Sequence, residues 1–242
     1  PGLILLMTLL PAIVMFTIMW RIHVDIGDAS VIDYYWGPGF VVIAAITAAA
    51  CAPLTLLQAI LVVAVVVWAA RLTWAVVRRH WRANVEDGRY RRLRDSGGPA
   101  FWWQSLFSVF LLQAVLQWLI ATPIVIAIAL PQRAPDTLMV AAGFGLFAIG
   151  LAIETIADAQ LARHRADPAR AGTTLNTGMW AWSRHPNYFG EVLLWWGLSL
   201  VAFALSGSLW AFAGPTVLTV VVLAVSLRLT EDHMAATRAD FA

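Results

Sequence analysis

Apolar residues occur along this chain in blocks of about twenty, separated by short polar stretches. The blocks fall at 3–20, 31–50, 54–77, 104–130, 137–157, 188–205 and 209–227. A helix needs about 20 mostly apolar residues to cross a bilayer, so the pattern predicts seven transmembrane helices and an all-α polytopic membrane protein. The fourth block is long, and Pro123 marks a kink in it that neighbouring helices can absorb. The first block follows no basic segment and is followed by no small-residue cleavage site, so it reads as a retained span rather than a signal peptide. No internal repeat and no low-complexity linker interrupts the chain, which predicts a single domain over 1–242.

The positive charges follow the same pattern. Arg78, Arg79, Arg82, Arg89, Arg91, Arg92 and Arg94 lie between blocks three and four, and Arg163, Arg165, Arg170 and Arg184 between blocks five and six. Arg21 follows block one; Arg228 and Arg238 follow block seven. With seven spans all of these share one side, while the opposite connections carry only Arg133 and Asp136. The positive-inside rule then places the N-terminus outside and the C-terminus in the cytoplasm, with the inner membrane of a bacterium as the expected location.

Composition supports lipid as the solvent. The chain is 61% hydrophobic and 12% charged, with a mean hydropathy of +0.76; soluble domains carry about 25% charge. Many of the 13 tryptophans stand near block ends, as interfacial belts require. The single cysteine, Cys51, excludes an internal disulfide and a cysteine-based metal cluster, and no metal site is expected. The pI of about 9.2 comes from arginines beside spans, which are orientation signals and not a nucleic-acid surface.

Ionisable residues within or beside spans are costly and mark candidate sites. Three places stand out. Asp33 opens block two, with Arg71 inside block three; the two form either a structural pair or part of a site. Glu154, Asp158 and Arg165 are spaced by four and seven, which puts them on one helical face continuing block five. The segment from Trp180 to Glu191 holds Arg184 and His185 just before Pro186, a residue suited to a first helical turn, and Asn187 and Glu191 one turn apart. Free N–H groups at such a helix start favour anions, so the segment fits a phosphate- or carboxylate-bearing cofactor. The alternative is an ordinary helix entry with a basic anchor. Gly37-Pro-Gly39 and Gly143-Phe-Gly145 lie within apolar helices and make no dinucleotide fingerprint.

Ser183-Arg184-His185-Pro186-Asn187-Tyr188-Phe189-Gly190-Glu191 resembles the C-terminal signature of the membrane steroid 5-alpha-reductase superfamily. Asp33-Tyr-Tyr-Trp-Gly-Pro-Gly39, Trp68-Ala-Ala-Arg-Leu72, Glu86-Asp-Gly-Arg-Tyr90 and Glu154 through Asp158-Ala-Gln160 match its bacterial branch, the DUF1295 family, in order along nearly the whole chain. The resemblance implies seven spans, NADPH bound from the cytoplasmic side, and hydride transfer to an activated C=C bond of a steroid-like or isoprenoid lipid. Matched by motif, Asn187, Tyr188 and Glu191 fall in the cofactor signature, and Glu154, Asp158 and Arg165 on the helix stripe that holds the nucleotide. Arg184 and His185 precede that helix; Arg228 and His233 match a C-terminal cofactor segment more loosely. Asp33 falls where the steroid enzymes carry a glutamate that hydrogen-bonds the substrate ketone, with Arg71 at nearly the expected spacing.

Two departures qualify the steroid substrate. Aspartate replaces glutamate at position 33, and Trp68 stands where a phenolic donor is expected. An indole N–H can donate a hydrogen bond but cannot pass a proton as a phenol does; Tyr34 or Tyr35 is the substitute phenol in this reading. The expected mechanism has a lipophilic enone entering from the bilayer and a protonated Asp33 donating to its carbonyl oxygen. Most arginines of 78–94 would anchor the bundle to headgroups, with Arg89-Tyr90 as exceptions. Two rivals remain: an S-adenosylmethionine-dependent methyltransferase of the isoprenylcysteine or phospholipid type, which shares an Arg-His-Pro-x-Tyr signature, and a non-enzymatic lipid-binding protein. A transporter is disfavoured, since no paired interrupted helices are visible.

Overall fold

The computed structural model describes residues 2–83, 86–130 and 133–237, with the backbone alone at 81–83, 233, 236 and 237. Every regular element among the described residues is helical. The helices are α1 (Gly2–Ile26), α2 (Trp36–Ala50), α3 (Leu56–Ala83), α4 (Gly88–Gly97), α5 (Phe101–Ser105), α6 (Leu112–Ile120), α7 (Thr122–Ala129), α8 (Thr137–Ala166), α9 (Pro186–Ser206), α10 (Ala213–Val221) and α11 (Leu227–Thr237). Short 3-10 and wide π turns join several of them, so that seven stretches are long and apolar enough to cross a membrane.

The fourth stretch differs most from the sequence expectation. It begins at Gly88, not near 104, and the helix ends at Ile120 before α7 resumes at Thr122. Pro123 sits at the second position of α7, where its missing N–H has no helical partner to lose. The result is a break and not the single bent helix expected. Similarly α1, α3 and α8 run beyond their apolar blocks to Ile26, Ala83 and Ala166. Polar residues end the lipid-facing part of a helix without ending the helix, and Ala and Arg are strong helix formers.

Side-chain contacts show which connections share an end of the bundle. The backbone N–H of Ala29 donates to Glu86 Oε1 at 2.8 Å and that of Asp87 to Ser30 Oγ at 2.7 Å. Arg92 reaches the carbonyl of Leu229, and His185 Nε2 lies 3.4 Å from Glu231 Oε1. The 27–29 and 167–185 connections and residues 86 and 87 therefore gather with α11 at one end, which holds most of the arginines. At the other end Arg133 donates to the carbonyls of Phe203 and Ala204, each at 3.1 Å. Arg238 lies outside the described residues.

Helices α8 and α9 make the closest pair. A Cβ on Gly150 would meet Gly190 O at 2.5 Å, and one on Gly190 would meet Glu154 N at 2.7 Å. Seven residues along, a Cβ on Gly143 would meet Gly197 O at 2.8 Å and one on Gly197 would meet Gly143 O at 2.5 Å. Small residues let membrane helices approach backbone to backbone, and here a seven-residue glycine spacing on both helices does so along one seam. Beside it lies an apolar core containing Phe40, Trp68, Ile124, Trp195 and Leu198. The Trp68 and Trp195 rings meet edge to face at 5.2 Å, and Phe40 packs on both. A second cluster around Phe16, Ile32, Tyr35, Tyr90 and Phe110 joins α1 to the segment after it.

Candidate functional site

The glycine seam fixes what faces what at the arginine-rich end. Glu154 and Asp158, one turn apart on α8, are brought against Asn187 and Glu191 on α9. Arg71 crosses from α3 to meet them. Its Nη1 lies 2.5 Å from Glu154 Oε1, and its Nη2 donates to the Glu154 carbonyl at 2.8 Å and to Asp158 Oδ2 at 2.6 Å. Asn187 Nδ2 donates to Asp158 Oδ1 at 3.2 Å. The Glu154 side chain is 4% exposed and that of Arg71 15%. Removing one member of such a buried pair leaves an uncompensated charge, which costs about 3–5 kcal/mol.

These groups form the floor of a cavity of about 980 Å³ between α3, α8, α9, α11 and the 167–185 connection. Small-molecule sites run from about 300 to 1,000 Å³, so the volume suits a ligand of dinucleotide size. Arg78, Arg79, Arg165, Arg184 and His185 line it with the floor residues; Leu72, Val76, Leu161 and Trp74 supply apolar wall. A smaller cavity of about 370 Å³ adjoins it, and Arg79, Arg165, Tyr188 and Thr230 line both.

The 167–185 connection is held in place as a wall. His164 Nε2 lies 3.1 Å from the Thr173 carbonyl, Gln160 Oε1 accepts from Met179 N at 3.0 Å, and Trp180 Nε1 donates to the Ala157 carbonyl at 3.0 Å. Gly178 has φ +62°, and a Cβ there would meet Gln160 Nε2 at 2.5 Å. Both the left-handed backbone and the close side chain call for glycine. His185 ends this wall. Its ring stacks on Tyr188 at 5.5 Å, and burial, opposed by Glu231, lowers its pKa.

Sequence-derived candidates divide cleanly by position. Arg71, Glu154, Asp158, Arg165, Arg184, His185, Asn187, Tyr188 and Glu191 all line the one cavity. Arg228 is exposed on α11 and lines neither cavity; His233 is described in backbone only. Asp33 and Tyr34 also lie off the cavity wall, and Asp33 does not pair with Arg71. Instead Tyr90 donates its hydroxyl to Asp33 Oδ1 at 2.8 Å, and Arg79 Nη2 and Arg89 Nη2 approach Oδ2 at 3.1 and 3.2 Å. Three donors occupy this carboxyl. Tyr34 packs on the His80 ring at 5.0 Å, Tyr35 is buried against Phe16, and Trp68 is 1% exposed in the aromatic core. The expected ketone-binding group of Asp33 with Tyr34 or Tyr35 is therefore not assembled at this cavity.

What Asp33 builds is a clamp. Asp87 caps α4, accepting from Arg89 N and Arg89 Nε, each at 3.0 Å. Burial acts to raise the Asp87 pKa, but the hydrogen bonds and charge of Arg89, with the charge of Arg79, outweigh it and hold the carboxyl well below the usual range. Glu86 Oε1 accepts from Arg94 at 2.6 Å as well as from Ala29. The Glu86–Tyr90 motif thus locks the start of α4 to residues 29–33 and sets Arg79 at the cavity rim. Sequence reasoning missed this pairing, together with the wall role of Trp180 and Gln160 and the contribution of Thr230 and Met234 from α11. The matched seven-residue glycine spacing on blocks five and six was the available signal for the seam.

Fold and cavity together define a polytopic helical membrane protein with a polar chamber at its arginine-rich end, floored by carboxyl and amide groups. Comparison with known sequences gives the family. The chain belongs to the DUF1295 family: the model described as "Protein of unknown function (DUF1295)" matches residues 19–242. No curated protein and no solved structure matches the chain.

Proposed function

We propose that the protein is an NADPH-dependent membrane reductase that transfers hydride to the activated C=C bond of a lipophilic enone. The observation that carries this reading is the large cavity with guanidinium groups at its rim, acceptors at its floor and apolar walls between. Arg78, Arg79, Arg165 and Arg184 suit the phosphates of a dinucleotide, since guanidinium pairs with phosphate in charge and geometry. The floor has acceptors for a carboxamide: Asn187 Oδ1 and Glu154 Oε2 are buried without a protein partner. On these grounds the residues present fit the cofactor. The arginine-rich end is the cytoplasmic one in this reading, where NADPH is supplied, and the membrane is a bacterial inner membrane.

NADPH supplies the hydride when bound; the protein supplies orientation and a dry site. Arg71 fixes Glu154 and Asp158, and Asp158 in turn orients the Asn187 amide. The aromatic plug of Phe40, Trp68 and Trp195 closes the core beyond the floor. With Asp33 engaged in its clamp, the phenol positioned to assist a substrate carbonyl is Tyr188, on the wall shared by both chambers. Tyr188→Phe is expected to lower kcat with little change in NADPH affinity.

The test is cofactor choice. Purified protein in nanodiscs should bind NADPH saturably and oxidise it in the presence of members of an enone panel. A second reading is favoured by the excess of floor carboxyls, Glu154, Asp158 and Glu191, over the one guanidinium of Arg71: a sulfonium donor would also suit them. Saturable binding of S-adenosylmethionine without binding of NADPH would establish a methyltransferase instead. Binding of lipid alone would favour the non-enzymatic alternative.

A further inference from the structure

The floor of the cavity is one-sided in its hydrogen bonding. Glu154 is 3% exposed; Arg71 takes its Oε1 and carbonyl, and its Oε2 is buried without a partner. Asn187 turns its amide N–H toward Asp158, which leaves its Oδ1 buried and unpartnered. That orientation is fixed by chemistry, because the flipped amide would set oxygen against a carboxyl oxygen. Glu191 adds a third carboxyl to the same floor, one turn beyond Asn187. Among the described residues that line the cavity, the buried polar atoms lacking a partner are both acceptors. A buried acceptor left unmade costs about 1–3 kcal/mol, so the floor rewards a ligand group rich in N–H donors. Three carboxyls outnumber the one guanidinium, and a cationic group among them favours their ionised forms.

We infer that this floor reads the oxidation state of the nicotinamide, holding NADP⁺ more tightly than NADPH. The inference rests on the reductase reading above. Loss of hydride leaves the nicotinamide ring cationic, whereas the reduced ring is neutral; the carboxamide donors are common to both. The excess of carboxyls over guanidinium on this floor therefore distinguishes the two forms. By linkage, tighter binding of the oxidised form makes the bound couple more reducing, and tenfold in affinity corresponds to about 30 mV for a two-electron couple. The floor would thus favour hydride donation to substrate and retention of the spent cofactor afterwards.

Dissociation constants for NADP⁺ and NADPH, measured by equilibrium titration of the protein in nanodiscs, test this directly. Wild type is expected to bind NADP⁺ about tenfold more tightly than NADPH. Glu191→Gln, which keeps shape and removes the ionisable group, is expected to bring the two constants together by weakening NADP⁺ and sparing NADPH. Equal constants in wild type, or tighter NADPH, overturn the inference and leave the reductase reading standing. So does a Glu191→Gln variant that folds and keeps the wild-type ratio. Binding of neither nucleotide overturns both. Should the variant fail to assemble, the wild-type ratio alone decides.

Discussion

Single residues carry two kinds of work here, and Asp33 and Arg71 illustrate each. Arg71 gathers the floor, so Arg71→Ala should cost about 3–5 kcal/mol in unfolding stability and abolish cofactor binding; Arg71→Lys, which cannot serve two carboxyls and a carbonyl with one planar fork, should recover part of the stability alone. Thermal unfolding in detergent with NADPH titration separates the two. Asp33 acts at a distance through Arg79. Asp33→Asn should raise KM for NADPH while leaving kcat at saturating cofactor near wild type; a collapse of kcat with unchanged KM would return Asp33 to direct chemistry. The clamp also sets an acid limit. Asp87 is depressed in the folded state, so its contribution is present above the ordinary carboxylate range and is lost as pH falls through and below it. His185, also depressed, adds stability above its unfolded value of 6.5 that fades as pH falls below. Melting temperature should therefore drop on acidification, and Asp87→Asn should flatten the lower part of that profile. From sequence the nine cavity-lining residues were legible because helical spacing and one dense motif placed them. Asp33 was not, since its partners Arg79, Arg89 and Tyr90 lie 46 or more residues away in an arginine run that also looks like a headgroup anchor.

At the scale of elements, the α8–α9 seam decides whether the floor exists. Gly150→Ala or Gly190→Ala would drive a methyl group into backbone at 2.5 and 2.7 Å, and neither contact is a flexible side chain that can move aside. Each should cost about 1–3 kcal/mol and separate Glu154 from Asn187, with loss of ligand binding. Gly145→Ala meets nothing within 4 Å and serves as the control, expected to match wild type in both melting temperature and binding. The seven apolar blocks were readable because lipid imposes a length and composition on anything that crosses it. The exact helix ends were not, because Ala- and Arg-rich segments continue a helix past the apolar boundary, as α3 and α8 do. The break at Ala121 came from a proline whose presence was clear and whose consequence, a clean interruption, depended on where the helix start fell.

The whole molecule divides its charge between two ends, and this has a topological consequence. Engineered cysteines at position 92 or 170 should be labelled by an impermeant thiol reagent only after inside access is given, and one at position 136 from outside. The reverse pattern would invert the proposed orientation. The most direct measurement of all is the density in the 980 Å³ cavity of the protein reconstituted with NADPH and imaged by cryo-electron microscopy. The expected map shows an adenine dinucleotide with phosphates at Arg79 and Arg165 and its nicotinamide against Asn187 and Glu191. A cavity holding only lipid at saturating NADPH, with the nucleotide elsewhere or absent, would contradict it.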